Sequence, residues 1–144
     1  MANQFTMTVS GLKEFENAIK RNPKTTIRQI NIFFVRSIAE YRKIIMRQPW
    51  RVGGVGGGTP VDTQALRDSH QSGTKISRLE ASIGPDQNIA PYAKYVHGRK
   101  KGEINTRTGV ESRPWLTYAF NKGDRKVRLL QNKLLKNIIN DLAS

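Results

Sequence analysis

Cysteine is absent from this chain of 144 residues, so disulfides, cysteine-based zinc sites and thiol nucleophiles are excluded at once. Histidine is nearly absent too: His70 and His97 are the only two, too few for a histidine-rich metal cluster. Acidic residues are scarce, 11 Asp and Glu against 25 Lys and Arg, which leaves a formal charge of +14 and implies an anionic partner or a polyanion-rich setting. No apolar run approaches the ~20 residues that a helical membrane span requires. The opening MANQFTMTVS has neither a basic n-region nor an apolar h-region, so no signal peptide is expected. The length suits a single domain over 1–144 with a core of its own.

What the chain does have is glycine in one place. WRVGGVGGGTPVDTQALRDS (50–69) puts Gly53, Gly54, Gly56, Gly57 and Gly58 within six positions. A Walker loop needs Lys and Ser or Thr straight after its last glycine, and Thr59-Pro60 stand there instead. Proline also lacks the N–H that a phosphate cradle uses. No register of these glycines satisfies G-x-G-x-x-G. The expectation is a flexible loop at about 51–59, because glycine has the widest backbone freedom and loses the most on ordering.

Around that loop the periodicities point to an α+β domain. Ser10 can cap a short helix over 10–21 with Leu12, Phe15, Ala18 and Ile19 on one face. Asn22-Pro23 then reads as cap and first turn of a long helix to 46, apolar at Ile27, Ile30, Phe34, Ile38, Tyr41 and Ile45 and basic opposite at Arg28, Arg36, Arg42, Lys43 and Arg47. Asp62 or Thr63 can cap a short helix through Ala65, Leu66 and Ser69. Residues 71–84 change to period two at Leu79, Ala81 and Ile83, predicting one or two strands before the Gly84-Pro85 break. Residues 90–98 read as a helical turn or short strand, and 99–110 as an exposed loop or hairpin tip punctuated by Gly102 and Gly109. Pro114 opens a helix that Gly123-Asp124 is expected to interrupt and recap, after which Val127, Leu130, Leu134, Ile138 and Leu142 form an amphipathic C-terminal helix. Long N-terminal and C-terminal helices packed on a small antiparallel sheet are the expected architecture.

Candidate chemistry is thin. Asp62, Asp68, His70, His97 and Glu103 are the candidates for acid–base or metal work, and nothing resembles a spaced ligand set such as H-E-x-x-H. Capping, solvation and pairing account for them more simply than a small metal-dependent nuclease, and no cofactor is expected. The basic stretches say more. Lys94, Arg99, Lys100, Lys101 and Arg107 face only Glu103, and seven Lys or Arg between 113 and 136 face only Asp124. Clustered cations neutralise phosphates, yet no helix-turn-helix, zinc finger or RNA-binding signature accompanies them. A basic nucleic-acid-binding accessory protein is thus the alternative reading. Among the aromatics, Tyr92 and Tyr118 are expected mainly in the core, while Trp115 is open to core and interface alike; Tyr95 and Phe120 lie in the same stretch.

Three pieces occur in order: TPVDTQALRDS (59–69), IAPYAKYVHG (89–98) and SRPWLTYAF (112–120). Together they resemble the tailed-bacteriophage neck family of tail-completion or minor-tail-component proteins, the group that includes lambda-type minor tail protein Z. The family pattern runs roughly Pro-Val-Asp-Thr-Gly-x-Leu-Arg-x-Ser, then Tyr-Ala-x-Tyr-Val-Glu-x-Gly, then Arg-Pro-Phe-Leu, and covers about 60 positions here. The first motif maps onto Asp62, Thr63, Leu66, Arg67 and Ser69; the second onto Tyr92, Tyr95, Val96 and Gly98; the third onto Arg113, Pro114, Trp115 and Leu116. Two departures stand out: Gln64 replaces the usual glycine, and His97 stands where an acid is common. The resemblance implies a non-enzymatic virion protein made in the host cytoplasm and acting where capsid and tail join. It would form a homo-oligomeric ring with other neck and tail proteins as partners, with no membrane involved. Its motif residues would shape the fold and subunit contacts, and Arg99, Lys100, Lys101 and Arg107 are candidates for nonspecific contact with packaged DNA.

Overall fold

In a computed structural model the described residues are 4–8, 16–17, 20–61, 64–77, 80–106 and 108–143. The expected helix over 10–21 falls mostly outside them, as do Asp62, Thr63, Leu79 and Arg107; residues 16, 17, 20 and 21 are helical. Helix α1 spans Pro23–Ile45, and its buried face of Thr26, Ile30, Phe34, Ser37, Ile38, Tyr41, Ile44 and Ile45 recurs at three- and four-residue steps. At 23 residues it is about 34 Å long. Proline holds its first turn, but Asn22 caps with its carbonyl only, accepting the Thr26 amide at 3.0 Å, and its side chain makes no capping bond. Helix α4 spans Trp115–Ala143 and packs lengthwise on α1. The two run antiparallel: Gly123 lies against Tyr41 and Ile44 near the end of α1, while the Gln29 amide near its start donates to the Asp141 carboxylate. The side chain of Leu142 lies outside the described part.

A three-stranded antiparallel sheet completes the α+β fold, with β1 (Phe5–Thr8), β2 (Lys75–Ile76) and β3 (Glu80–Ile83) in the order β1-β3-β2. Strand β3 is central because it pairs on both sides, Phe5 with Ile83 and Ile76 with Ala81, and its Ala81 and Ile83 are buried against α1. The short helices α2 (Ala65–Gly73) and α3 (Ala93–His97) flank it in sequence, α2 taking up residues 71–73 of the stretch read as strand. Residues 103–105 and 110–112 pair as a hairpin, one of the two forms expected over 99–110: Asn105 N–H bonds Val110 O at 3.0 Å, Ser112 N–H bonds Glu103 O at 2.8 Å, and Ile104 bridges Glu111.

One glycine reading is corrected by a close contact, and a second glycine is required by one. Helix α4 runs through Gly123-Asp124 without interruption. A Cβ at Gly123 would sit 2.9 Å from the Tyr41 ring, so this glycine is where the long helices approach most tightly, not where one ends. At Gly58 a Cβ would meet the carbonyl oxygens of Ile45, Arg47 and Ile44 at 2.7 to 2.9 Å. The glycine lets the chain return across the C-terminus of α1, where Thr59 bonds Ile45 O with both its amide (2.9 Å) and its hydroxyl (3.0 Å). One of the orphan carbonyls of a helix end is satisfied in this way.

Gly123→Ala should therefore lower the unfolding free energy by about 1–2 kcal/mol through overpacking, despite the ~1 kcal/mol by which alanine favours a helix. Urea denaturation reads the sign directly; an unchanged or more stable variant would contradict the close-approach account.

Candidate assembly site around Trp115

One buried indole, Trp115 of the third segment, is flanked by His97 of the second and by His70, the residue that follows the first. Trp115 is 0% exposed, at the first turn of α4. Its Nε1–H donates to His70 Nε2 at 3.0 Å. The His70 Nδ1–H donates in turn to Leu66 O at 2.9 Å, with Arg67 O at 3.2 Å. Both ring nitrogens are thereby assigned: Nδ1 must carry the proton and Nε2 must be bare, so the histidine is neutral in this arrangement. On the other side His97 meets the indole edge-on, centroids 5.0 Å apart and planes at 72°. Its Nδ1–H donates to Gly98 O at 2.8 Å, while Nε2 is buried without a partner among the described residues.

The second and third segments are also stitched through backbone. Arg113 N–H donates to Val96 O at 2.8 Å, and a Cβ at Gly98 would lie 1.9 Å from Ser112 Oγ. In the first segment Leu66 and Ser69 are buried, the Ser69 hydroxyl donating to Leu66 O at 2.6 Å. The Arg67 guanidinium reaches across to Met46, donating to its carbonyl and lying 3.3 Å from its sulfur. Pro114 and Leu116 are buried, and Val96 packs on the core. Asp62 and Thr63 lie outside the described residues. Gln64, in the glycine position of the pattern, nonetheless takes the left-handed conformation at φ 65°.

Other assignments move. Trp115 belongs to the core, whereas Tyr92 and Tyr95 are 39% and 42% exposed, so Tyr92 is not the core residue its surroundings suggested. Tyr118 is half-buried, 5.9 Å from the Trp50 ring. Arg113 is only 9% exposed; it donates to Trp50 O at 3.3 Å, its Nε has no partner, and no described carboxylate pairs with it. His97, in place of the acid common in the pattern, makes no salt bridge among the described residues. Asp68 is exposed on α2, Glu103 lies in the hairpin and the histidines flank Trp115; no metal-holding group of three or more His, Asp or Glu exists among the described residues.

The hairpin and the glycine loop meet at Glu111. Its carboxylate accepts the Gly53 amide at 2.8 Å, and its backbone bridges Ile104. Beside this junction stand the most exposed large aliphatics of the described chain, Val55 at 84%, Val52 at 72% and Ile104 at 63%. Between the hairpin and α3 lies a cleft of about 450 Å³ lined by Lys94, Tyr95, Arg99, Glu103, Asn105 and Ser112. Lys100 and Lys101 are exposed at the hairpin base. The glycine loop itself is held at several points: Trp50 N–H to Gly58 O (3.1 Å), Gly58 N–H to Gln48 O (2.9 Å) and Trp50 Nε1–H to Gly54 O (3.1 Å). Trp50, Glu111 and the histidine–indole bond had no local sequence signal, since each works through a partner distant in the chain.

Two measurements probe this site. Burial pushes the pKa of both histidines below the ordinary 6.5, and for His70 the Arg42 charge adds to it against the opposing backbone bonds. A depressed folded pKa contributes stability that is present above 6.5 and lost as the pH falls below it. The urea midpoint should drop between about pH 7 and pH 5, and His70→Gln should flatten that drop; an identical profile in the variant would remove the histidine account. Gln64→Gly should raise stability by about 0.5–1 kcal/mol, since relief of the left-handed strain exceeds the entropic cost of glycine. Comparison with protein-family models, curated proteins and solved structures finds no match to this chain.

Proposed function

We propose that the chain is a structural virion protein of a tailed bacteriophage, acting in tail completion or head–tail joining at the neck and assembling there as an oligomeric ring. The observation that carries this reading is the convergence on Trp115. The second and third segments that resemble the neck family meet directly, Arg113 bonding Val96 and Gly98 lying against Ser112, and the first is joined to them through His70, the residue that follows it, which bridges Leu66 O and Trp115.

The character of the junction suits a scaffold. Apart from His97 Nε2 and Arg113 Nε, its described polar groups are bonded to one another or to backbone, and its two imidazoles are buried rather than presented to a substrate. What the scaffold presents outward is the pair of tips joined at Glu111, with Val52, Val55 and Ile104 exposed. Exposed aliphatics grouped on rigidly based loops are a subunit-contact surface, since burying each on assembly contributes about 1.5–3 kcal/mol at most.

Deleting the gene from its phage and imaging the lysate by electron microscopy tests the role. Filled capsids and separate tails without infectious particles are expected; normal infectious virions would overturn the neck reading. Complementing the deletion with Val52→Asp/Val55→Asp should give soluble, folded protein that fails to restore infectivity, because the charges would be buried at the ring contact.

A further inference from the structure

A second cleft, of about 440 Å³, opens on the far side of the glycine loop between Arg47, Arg51, Gly54, Gly56, Gly57 and Tyr118. Lys122 stands at its edge, its Nζ 5.7 Å from the Tyr118 ring centroid. Arg47, Arg51 and Lys122 are all exposed, and no described carboxylate pairs with any of them. This sets the cleft apart from the hairpin cleft, where Glu103 offsets Lys94 and Arg99. The buried Arg113 adds a further cation just behind the wall, on the carbonyl of Trp50, again without a described carboxylate partner. Four positive charges thus collect around one concave surface that supplies no negative one.

The shape follows from the glycines. A Cβ at Gly56 would lie 2.4 Å from the Tyr118 ring, and one at Gly57 would lie 2.9 Å from the Trp50 backbone. Glycine allows the loop to lie flat on Tyr118 and leaves the arginines standing on either side. Three of the loop's five glycine amides, those of Gly53, Gly54 and Gly58, are already bonded to Glu111, Arg51 and Gln48, and the positive charge of the cleft comes from its side chains. Guanidinium and ammonium groups must do the work, and the fork of arginine matches phosphate oxygens.

We propose that this cleft grips the phosphate backbone of duplex DNA through Arg47, Arg51 and Lys122, without reading sequence. An acidic peptide fits less well, because the lining offers only Pro49 and Tyr118 as apolar anchors and Tyr118 is half-buried. Stacking of an unpaired base is opposed as well, since Gly56 covers the Tyr118 ring and Lys122 stands near it. Backbone contact without base contact gives affinity and positioning but no specificity. The site lies outside the hairpin cations Arg99, Lys100 and Lys101, and it stands or falls independently of the neck assignment.

Fluorescence anisotropy of purified protein with a labelled duplex of mixed sequence, measured over a salt series, is the test. Arg47→Gln/Arg51→Gln/Lys122→Gln should reduce the slope of log K against log salt by about 2–3 and weaken binding on the order of 10²-fold at ~0.1 M salt. Arg51→Gln alone should lower the slope by about 1. Arg99→Gln/Lys100→Gln/Lys101→Gln removes the same charge from the hairpin and should keep most of the affinity. Equal losses in the two triple variants would reduce the effect to net charge and overturn the cleft. An unaltered slope in the first variant would do the same. Displacement of the duplex by polyglutamate at matched charge would assign the cleft to an acidic protein partner instead, and no binding by the unmodified protein would reject it outright.

Discussion

The bond from the Trp115 indole to His70 is the constraint on which this structure turns. A buried indole N–H needs an acceptor, and the acceptor here is an imidazole nitrogen available only when the other nitrogen carries the proton. Leu66 O enforces that tautomer from within α2, so the first turn of α2 and the first turn of α4 fix each other. With Trp115 in place, His97 and the end of α3 can close on its opposite side, and the Arg113–Val96 backbone bond follows as a local consequence. A single ring therefore determines how three short, irregular segments lie, although none of them has enough apolar surface to hold its own position. Low dielectric strengthens such a chain of bonds and also raises the penalty if any one member is lost.

Much of the frame was legible in the chain because it rests on local repetition. Helix α1 carries its apolar face at helical spacing for six turns, and the period-two pattern of β3 is written in Ala81 and Ile83, although Ser82 between them is buried as well. Elements that depend on distant partners were not legible. Strand β1 is four residues long and exists as a strand through its pairing with β3, so nothing in FTMT distinguishes it locally. Gly123 carries the ordinary signal of a helix break, yet its lack of a side chain serves Tyr41 of another helix. The order of the motif residues was readable, while their meeting point was not, because His70 and Trp115 each look like an isolated residue until the fold closes.

The glycine loop shows how one composition can serve different demands along six positions. Its last glycine admits the chain across the carbonyl end of α1, a packing requirement that would exist in any function. Its middle glycines line the arginine cleft, Gly56 pressed onto the Tyr118 ring and Gly57 onto the Trp50 backbone. Its outer part carries Val52 and Val55 to the surface and is tethered by the Gly53 amide to Glu111. The phosphate-loop reading fails on chemistry rather than on flexibility: Thr59-Pro60 stand where lysine and a hydroxyl residue are needed, and the amides of Gly53, Gly54 and Gly58 are engaged within the protein.

Charge then divides the surface into two kinds of face. A net charge of +14 opposes the approach of identical copies, so the ring contact proposed above would lie where cations are locally balanced or where apolar burial dominates. The hairpin side meets both conditions, with Glu103 and Glu111 among its cations and exposed aliphatics at its tips. The cleft beside Tyr118 meets neither, and a like-charged neighbour there would be repelled, whereas a polyanion would be drawn in. The link between the two faces is Glu111, whose carboxylate holds the loop that also walls the cleft. On the proposed reading, a neighbour docking at the tips would therefore bear on the loop that positions Arg51. Assembly and backbone binding would then be coupled through one hydrogen bond rather than arranged as separate properties of a basic surface.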